Sequence, residues 1–244
     1  MGSINSVCSE TNQDLHKKVE LNDEVKQLKE EKTVSFIYVS NKWKFIYDEW
    51  NCCENKCINT NKPNAFCISG NGFIQIKNDI IIKYINCSDK NGINKRARIM
   101  AENKFIKSNE NLEFKHCSSN CISFSLFYYE VTFQFEKNEW MAIGLQNKNF
   151  FISLWPKQES IYFLFENNVL GINLPSFSFK NGDNIGCGVV YPPPKMIKKL
   201  PYIFFTFNGK QIGKGLQLKE NIIKDLEPFI GLECCSIKTN FGSI

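Results

Sequence analysis

The residues of this sequence best suited to chemistry are its eleven cysteines and two histidines. Structural zinc sites typically use pairs of cysteine or histidine ligands two to four residues apart. Two groups just meet this spacing, and they are Cys52, Cys53 and Cys57 in one and His116, Cys117 and Cys121 in the other. Free cysteine is also a common small residue of protein cores. We interpret both groups in this second way, and we predict no metal site and no cofactor.

Nucleophilic catalysis would need a cysteine or serine beside a histidine in the folded chain. The two histidines are His16 and His116, and a pair of Cys187 or Cys234 with His116 is the arrangement left open. No nucleophile elbow or other catalytic signature surrounds these residues. The sequence therefore predicts a protein without catalytic residues, with an enzyme of an unrecognised type as the alternative.

The stretch IFFTFNGKQIGKG, residues 203–215, has the glycines and lysines of a phosphate-binding loop. A Walker A loop places four residues between its first glycine and the Gly-Lys pair, and then Ser or Thr. Here three residues separate Gly209 from Gly213, and Gly215 occupies the Ser/Thr position. Asn208-Gly209 is instead a preferred pair for a type I′ turn. The stretch predicts a β-hairpin, with a bend or bulge at Gly213 and Gly215.

The first residues, MGSINS, match the N-myristoylation pattern, with Gly2 exposed once Met1 is removed. Cys8 is close enough to accept a palmitoyl group. One myristoyl chain binds membranes only weakly, so Cys8 or nearby lysines would have to add a second signal. An accidental match in a flexible tail is the alternative. Because the sequence shows no secretory signal peptide, we predict a cytoplasmic protein, attached peripherally to membranes if Gly2 is acylated.

The charge balance argues against nucleic acid as a partner. Lysine and arginine number 30 against 25 acidic residues, a net charge of +5, and only Arg96 and Arg98 are arginines. Arginine is the residue that recognises phosphate and guanine in a bidentate manner. No apolar run approaches the roughly 20 residues needed to span a bilayer. We predict neither nucleic acid nor a small-molecule substrate as the ligand.

Two kinds of structure must position these groups. Residues 1–33 are predicted to form an arm with a flexible start and one short amphipathic helix, because Leu21, Val25 and Leu28 recur at helical spacing. From residue 34, short runs rich in Phe, Ile and Tyr alternate with turn signals. Asn-Gly pairs stand at 71–72, 91–92, 181–182 and 208–209. The pattern is typical of an all-β antiparallel β-sandwich over residues 34–244.

Five segments in the second half of the chain carry family motifs. They are YYEVTF (128–133), MAIGL (141–145), NGDNIGCGVVY (181–191), IFFTFNGKQIG (203–213) and LEPFIGLECCSIKTNFG (226–242). In this order they resemble the motifs of SPRY (B30.2-like) domains, most clearly over 122–242. The segment 43–85 is similar to the leading strands of the SPRY sets that are expanded in nematodes. SIYFLFENN, 160–168, departs from the family pattern because it lacks the glycines of a Tyr-Gly-Tyr-like segment.

The resemblance implies a protein–protein interaction module that binds a partner protein or peptide through loops at one end of the sandwich. The candidate loops are 146–157, 166–173 and 191–200. Aromatic residues dominate binding hot spots. The candidate contacts in these loops are Phe150, Phe151, Trp155, Tyr191 and Lys195. For the aromatic rings, packing into the core is the alternative. Two further roles remain open: substrate adaptor in ubiquitin ligation, and host-directed effector of a parasitic nematode.

Overall fold

The described part of the chain consists of β-strands and their connections. The computed structural model describes residues 32–87, 91–106, 122–165, 168–174, 178–193, 196, 198–219 and 221–242. The strands are β1 Lys32–Phe36, β2 Trp43–Ile46, β3 Phe73–Ile76, β4 Ile81–Ile85, β5 Ala97–Ala101, β6 Ile122–Gln146, β7 Phe150–Trp155, β8 Ser160–Phe165, β9 Asn168–Asn173, β10 Asn184–Tyr191, β11 Tyr202–Phe207, β12 Lys210–Gln217 and β13 Glu227–Asn240. A 3-10 turn, Pro156–Gln158, joins β7 to β8. The predicted all-β class is confirmed.

Two long strands, β6 and β13, form the centre of the fold. They pair antiparallel from Glu227 opposite Gln146 to Asn240 opposite Glu130. The register shifts where one residue of β13, Cys234, stands opposite four residues of β6, 136–139, and the φ of Cys234, 56°, lies in the left-handed region. A bulge of this kind bends a strand and increases its twist. Each long strand therefore has two halves that take part in different layers.

Each half of the long strands has its own neighbours. One layer follows the order β12-β11-β10-β6-β13-β4-β3 and uses the first half of β6 and the second half of β13. The other layer uses the remaining halves, with β5 and β2 beside β13, and β7, β8 and β9 beside β6. All of these pairings are antiparallel, whereas β1 pairs with the start of β6 in parallel. The predicted antiparallel sandwich is confirmed, with this parallel pair as an addition.

One buried tyrosine links the two layers. Tyr129, on the first half of β6, is fully buried. Its hydroxyl lies 2.6 Å from the carbonyl oxygen of Gly144 and 2.9 Å from that of Phe229, and it accepts the Gly144 N–H at 3.1 Å. The rings of Trp43 and Phe241 pack against it. Because Gly144 and Phe229 belong to the other layer, these bonds fix the spacing of the sandwich.

The predicted hairpin joins β11 to β12. Asn208 and Gly209 have φ values of 48° and 76°, as a type I′ turn requires. The pairing of β11 with β12 is irregular, since Ile203 stands opposite Leu216 and Phe205 opposite Ile212. The extra residues of β12 include Gly213, which has a φ of 62°, so β12 contains the predicted bulge. The stretch that resembled a phosphate loop is therefore a structural hairpin.

The predicted N-terminal helix lies outside the described residues, which begin at Lys32. The division of the chain at residue 33 stays a prediction. Lys32 already belongs to β1, where it stands opposite Ile122. The end of the arm therefore leads directly into the sheet.

We expect Tyr129→Phe to lower the free energy of unfolding by about 1–3 kcal/mol, because the buried N–H of Gly144 would lose its acceptor. Urea unfolding followed by tryptophan fluorescence measures this change. Tyr162→Phe is the matched control, since the Tyr162 hydroxyl has no hydrogen-bond partner among the described residues. The control should change stability by about 0.5 kcal/mol or less. A Tyr129→Phe variant as stable as the wild type would contradict the role of this link.

Candidate binding surface

Two of the predicted contact residues belong to the core. Phe150 on β7 is 2% exposed, and Tyr191 at the end of β10 is 1% exposed. The Tyr191 hydroxyl donates to the carbonyl oxygen of Ile223 at 2.7 Å, and its ring packs edge-on against Phe127. Neither ring reaches the surface, so this placement corrects the expectation that they anchor a partner.

Trp155 lies elsewhere, on the outer face of the second layer. It is half-buried, and its ring centroid is 5.4 Å from that of Trp140 and 4.4 Å from that of Tyr162. Its indole N–H donates to the Ser153 hydroxyl at 2.7 Å. Phe151 points to the same outer face, and both rings remain candidates for contact with a partner.

Several predicted residues lie outside the described part of the chain. They are Gly2, Cys8, His16, His116, Cys117, Cys121 and Lys195. Acylation at the N-terminus and a contact through Lys195 therefore stay predictions.

The predicted loops 146–157 and 166–173 are largely strands. The first contains β7, which is paired on both sides. The second contains β9, which pairs only with β8 within the described residues. All six residues of β9 are exposed. Strand β9 is therefore an edge strand of the second layer.

The backbone of β9 leaves half of its polar groups unused by the sheet. Leu174, just beyond β9, donates its N–H to the carbonyl oxygen of Glu159 at 2.7 Å. Because hydrogen-bonded and non-hydrogen-bonded pairs alternate in an antiparallel ladder, the N–H and C=O groups of Val169, Gly171 and Asn173 face away from β8. We call these three residues the open edge.

Three side chains of β9 are apolar and exposed, between an asparagine at each end of the strand. Val169 is 70% exposed, Leu170 54% and Ile172 41%. Its sequence, NVLGIN, has no charge and no proline. Gly171 stands opposite Tyr162, and a β-carbon at this position would lie 3.4 Å from the tyrosine ring. The absent side chain therefore leaves one part of the half-buried Tyr162 ring open beside the open edge.

Arg98 forms a second feature of the same layer. Its guanidinium carbon lies 4.6–5.1 Å from the ring centroids of Tyr47, Trp50, Phe151 and Phe229. We call these five residues the arginine–aromatic cluster. Since they come from β5, β7, β13 and the segment after β2, the cluster joins several parts of the layer.

The cluster is held mainly by contacts with the ring faces. Burial lowers the pKa of Arg98 from its ordinary value, while Tyr47 and Glu49 act to raise it. Arg98 donates to the Gln146 side-chain oxygen at 3.3 Å, and its buried Nε has no acceptor among the described residues. A cation over aromatic faces gains about 0.5–2 kcal/mol, more when desolvated.

We expect Arg98→Lys to lower the free energy of unfolding by about 1–2 kcal/mol, because an ammonium group cannot stack on four rings at once. Arg96→Lys is the matched control, because Arg96 lies two residues before Arg98 and directly precedes β5. Arg96 is exposed, lies over one ring and pairs with Glu233 at 3.1 Å. Exposed pairs contribute about 0–1 kcal/mol. Equal losses in the two variants, measured by thermal unfolding, would contradict the role of the cluster.

Four cysteines meet in the segment between β2 and β3. The sulfur atoms of Cys52, Cys53, Cys57 and Cys67 all lie within 4.8 Å of one another. Cys53 Sγ is 3.9 Å from Cys52 Sγ and 3.5 Å from Cys57 Sγ. The spacing of the first three was visible in the sequence. Cys67 was missed because folding, not spacing, brings it to the group.

The thiols of this group differ in their ionisation. Burial raises the pKa of Cys52 to about 12. Burial also acts to raise the pKa of Cys53, but hydrogen bonds from Cys57, Ser69 and the Asn55 backbone outweigh it and lower the pKa to about 6. The surroundings of Cys53 therefore favour a thiolate.

The cysteines considered as nucleophiles are poorly placed for that role. Cys187 and Cys234 are fully buried. Burial raises the pKa of Cys187 well above its ordinary value, so the thiol stays protonated. That the chain is not an enzyme stays a prediction, because His116 is not described.

A small cavity lies beside the cysteines, lined in part by Trp50, Cys52 and Arg96. Its volume of about 10 Å³ is room for roughly one water molecule.

No helix in the described ranges is long and apolar enough to cross a membrane.

Solved SPRY domains are among the structures similar to this chain. A human SPRY domain is 16% identical, with 70% of this chain and 96% of that chain covered and a TM-score of 0.46. The TRIM65 PSpry domain is 7% identical, with 91% and 98% covered and a TM-score of 0.40. Arcelin-5, a lectin-like defense protein from Phaseolus vulgaris, is 12% identical, with 73% and 96% covered and a TM-score of 0.37.

No family model matches the sequence, and a search of curated proteins found no match. The similarity to solved SPRY domains is one of fold only. The narrower resemblance to nematode sets stays a prediction.

Proposed function

We propose that this chain is a non-catalytic protein-interaction module that binds an extended segment of a partner protein along β9. The observation that carries the proposal is the open edge: an uncharged strand, exposed over its whole length and paired on one side only within the described residues. An extended peptide can add to such an edge as a further strand.

The contrast with another edge of the fold supports this assignment. Proteins usually protect edge strands with charges, proline or bulges. Strand β12 is at the end of the first layer and has such protection, with Lys210, Lys214 and the bulge that contains Gly213. Strand β9 has none of these features. Strands β12 and β9 thus differ in their protection against further pairing.

The chemistry of the edge defines the segment that it fits. The outward N–H and C=O groups of Val169, Gly171 and Asn173 would pair with an extended backbone. Alternate side chains of an added strand lie on opposite faces. On one face they would meet Val169 and the half-buried ring of Tyr162, which packs on Trp155. The partner segment is therefore extended, free of proline and apolar at alternate positions.

The scaffold reduces the cost of such binding. Strand β9 is held by six register pairs with β8, and β8 by six with β7. A strand already fixed in its bound conformation loses little entropy on association. The proposed contact surface is a strand edge instead of the loop ends expected from the family resemblance, and Trp155 is the residue common to both.

Peptides selected from a phage-displayed random library on the wild-type protein provide the test. Val169→Pro removes one outward N–H and leaves the pairing with β8 intact, since proline is tolerated where the N–H faces solvent. We expect calorimetry to show at least about tenfold weaker binding of the selected peptides, a loss of about 1.4 kcal/mol or more.

Val169→Thr is the matched control, because threonine keeps both the N–H and the branched shape, and its affinity should stay within about twofold of wild type. Equal binding by Val169→Pro, or the selection of no peptide, would contradict the proposal. Sedimentation of the free protein separates a further case: a wild-type dimer that Val169→Pro dissolves would make a second copy the occupant and overturn the partner assignment.

We also propose that the module acts in the cytoplasm and is attached to membranes through a myristoyl group on Gly2, with Cys8 as a second acylation site. The sequence pattern at the N-terminus supports this. Gly2→Ala should move a membrane-associated fraction to the soluble fraction, because two signals are needed for stable attachment. Ser3→Ala is the control, since it keeps Gly2 and Ser6. Unchanged fractionation of Gly2→Ala would rule out this attachment.

A further inference from the structure

We propose that Cys52, Cys53, Cys57 and Cys67 together bind one zinc ion that holds the segment 47–72 in place. This reverses the expectation of no metal site and is independent of the function proposed for β9. The first argument is distance. A zinc–sulfur bond of about 2.3 Å in a tetrahedral site places the sulfur atoms roughly 3.8 Å apart. The four sulfurs of this group lie within 4.8 Å of one another, with Cys53 at 3.9 Å from Cys52 and 3.5 Å from Cys57.

The backbone around the sulfurs is the second argument. Cys53 begins a tight turn in which its carbonyl oxygen accepts the N–H of Lys56 at 3.0 Å, and Cys67 begins a similar turn closed by Gly70 at 3.1 Å. Lys56 and Gly70 have positive φ values of 46° and 68°. Two turns of the same kind, each beginning with a cysteine, thus face one another.

The segment that carries the cysteines needs such a crosslink. Residues 47–72 are all described, and no helix or strand lies among them. Loops longer than about 12–15 residues without regular structure are uncommon in compact domains. The segment is held by scattered bonds, such as Asn71 to the carbonyl oxygen of Cys52 at 2.7 Å and Ile46 to the Thr60 hydroxyl at 3.0 Å. A zinc ion would link the first part of this segment, which carries Cys52, Cys53 and Cys57, to the last part, which carries Cys67.

The chemistry of four thiolates favours zinc in a closed site. Thiolate ligands select zinc, copper(I) or iron–sulfur clusters, and a tetrahedral group of four sulfurs is a common form of structural zinc site. Disulfides fit less well, because each needs a sulfur–sulfur bond of about 2.05 Å and pairs two partners only. Zinc bound by four thiolates carries excess negative charge, and Lys95 and Arg96 line the cavity next to Cys52. With four protein ligands, the ion would have a structural role and no open position.

The consequence for the surface concerns the two residues beside Cys67. Phe66 is 77% exposed and Ile68 is 69% exposed. Binding of Cys67 would fix the direction of both apolar side chains. A ligand set at this position would thus hold apolar groups at the surface although no strand supports them.

Native mass spectrometry and elemental analysis of the full chain, purified under reducing conditions without chelator, test the proposal. We expect about one zinc per chain for the wild type and for the Cys87→Ser control, because Cys87 lies outside the group. Cys53→Ser/Cys57→Ser should contain less than about 0.1 zinc per chain, since the two remaining thiolates bind the ion too weakly to retain it through purification. Absence of zinc from the folded wild type, or equal zinc in the double variant, would overturn the site.

Cobalt(II) provides a readout that does not depend on the folding of a variant. The zinc-depleted wild type should bind cobalt(II) with the intense visible bands of a tetrahedral thiolate site and lose them on addition of zinc. A weak octahedral spectrum would contradict the four-thiolate assignment. Iron or copper(I) in place of zinc in the purified protein would overturn the choice of metal.

Discussion

The fold depends on a single constraint: two long strands, β6 and β13, pair along almost their whole length while bending from one layer into the other. The left-handed backbone at Cys234 permits the bend in β13. The Tyr129 hydroxyl, bonded to both β6 and β13 in the opposite layer, fixes how far apart the layers lie. Every other strand except β9 and β12 pairs with β6 or β13, or with a strand directly beside one of them.

The two proposed sites, strand β9 and the group of four cysteines, lie away from β6 and β13. Strand β9 is two strands beyond β7 in the second layer, so it contributes no buried side chain to the core. The segment 47–72 lies outside the strands altogether, although Cys52, Ile58 and Cys67 fill space at its base. Substitution of exposed residues in either region would leave the pairing of β6 with β13 intact. A scaffold of this kind separates stability, carried by β6 and β13, from recognition, carried by the edge.

Local chemistry predicted much of this architecture. Asn208-Gly209 is a pair favoured in turns with positive φ, and it forms such a turn. The apolar runs that flank other turn signals form strands. The faces of strands were harder to predict. The run FFISLW places Phe150 inside and Phe151 outside, but apolar residues cover both faces of β7, so no alternation was visible. The open edge depends on the pairing of β9, and the cysteine group depends on a residue distant in sequence. Both arise from tertiary contacts, which spacing along the chain does not encode.

Amide hydrogen exchange of the free protein, resolved by residue, tests the central claim that β9 presents an unpaired edge. If it does, the amides of Leu170 and Ile172 bond to β8 and exchange slowly, whereas those of Val169, Gly171 and Asn173 face solvent and exchange rapidly. This alternation along a single strand is the result that we predict. Slow exchange at all five amides would show that another segment already covers the edge, and rapid exchange at all five would show that β9 is not part of the sheet.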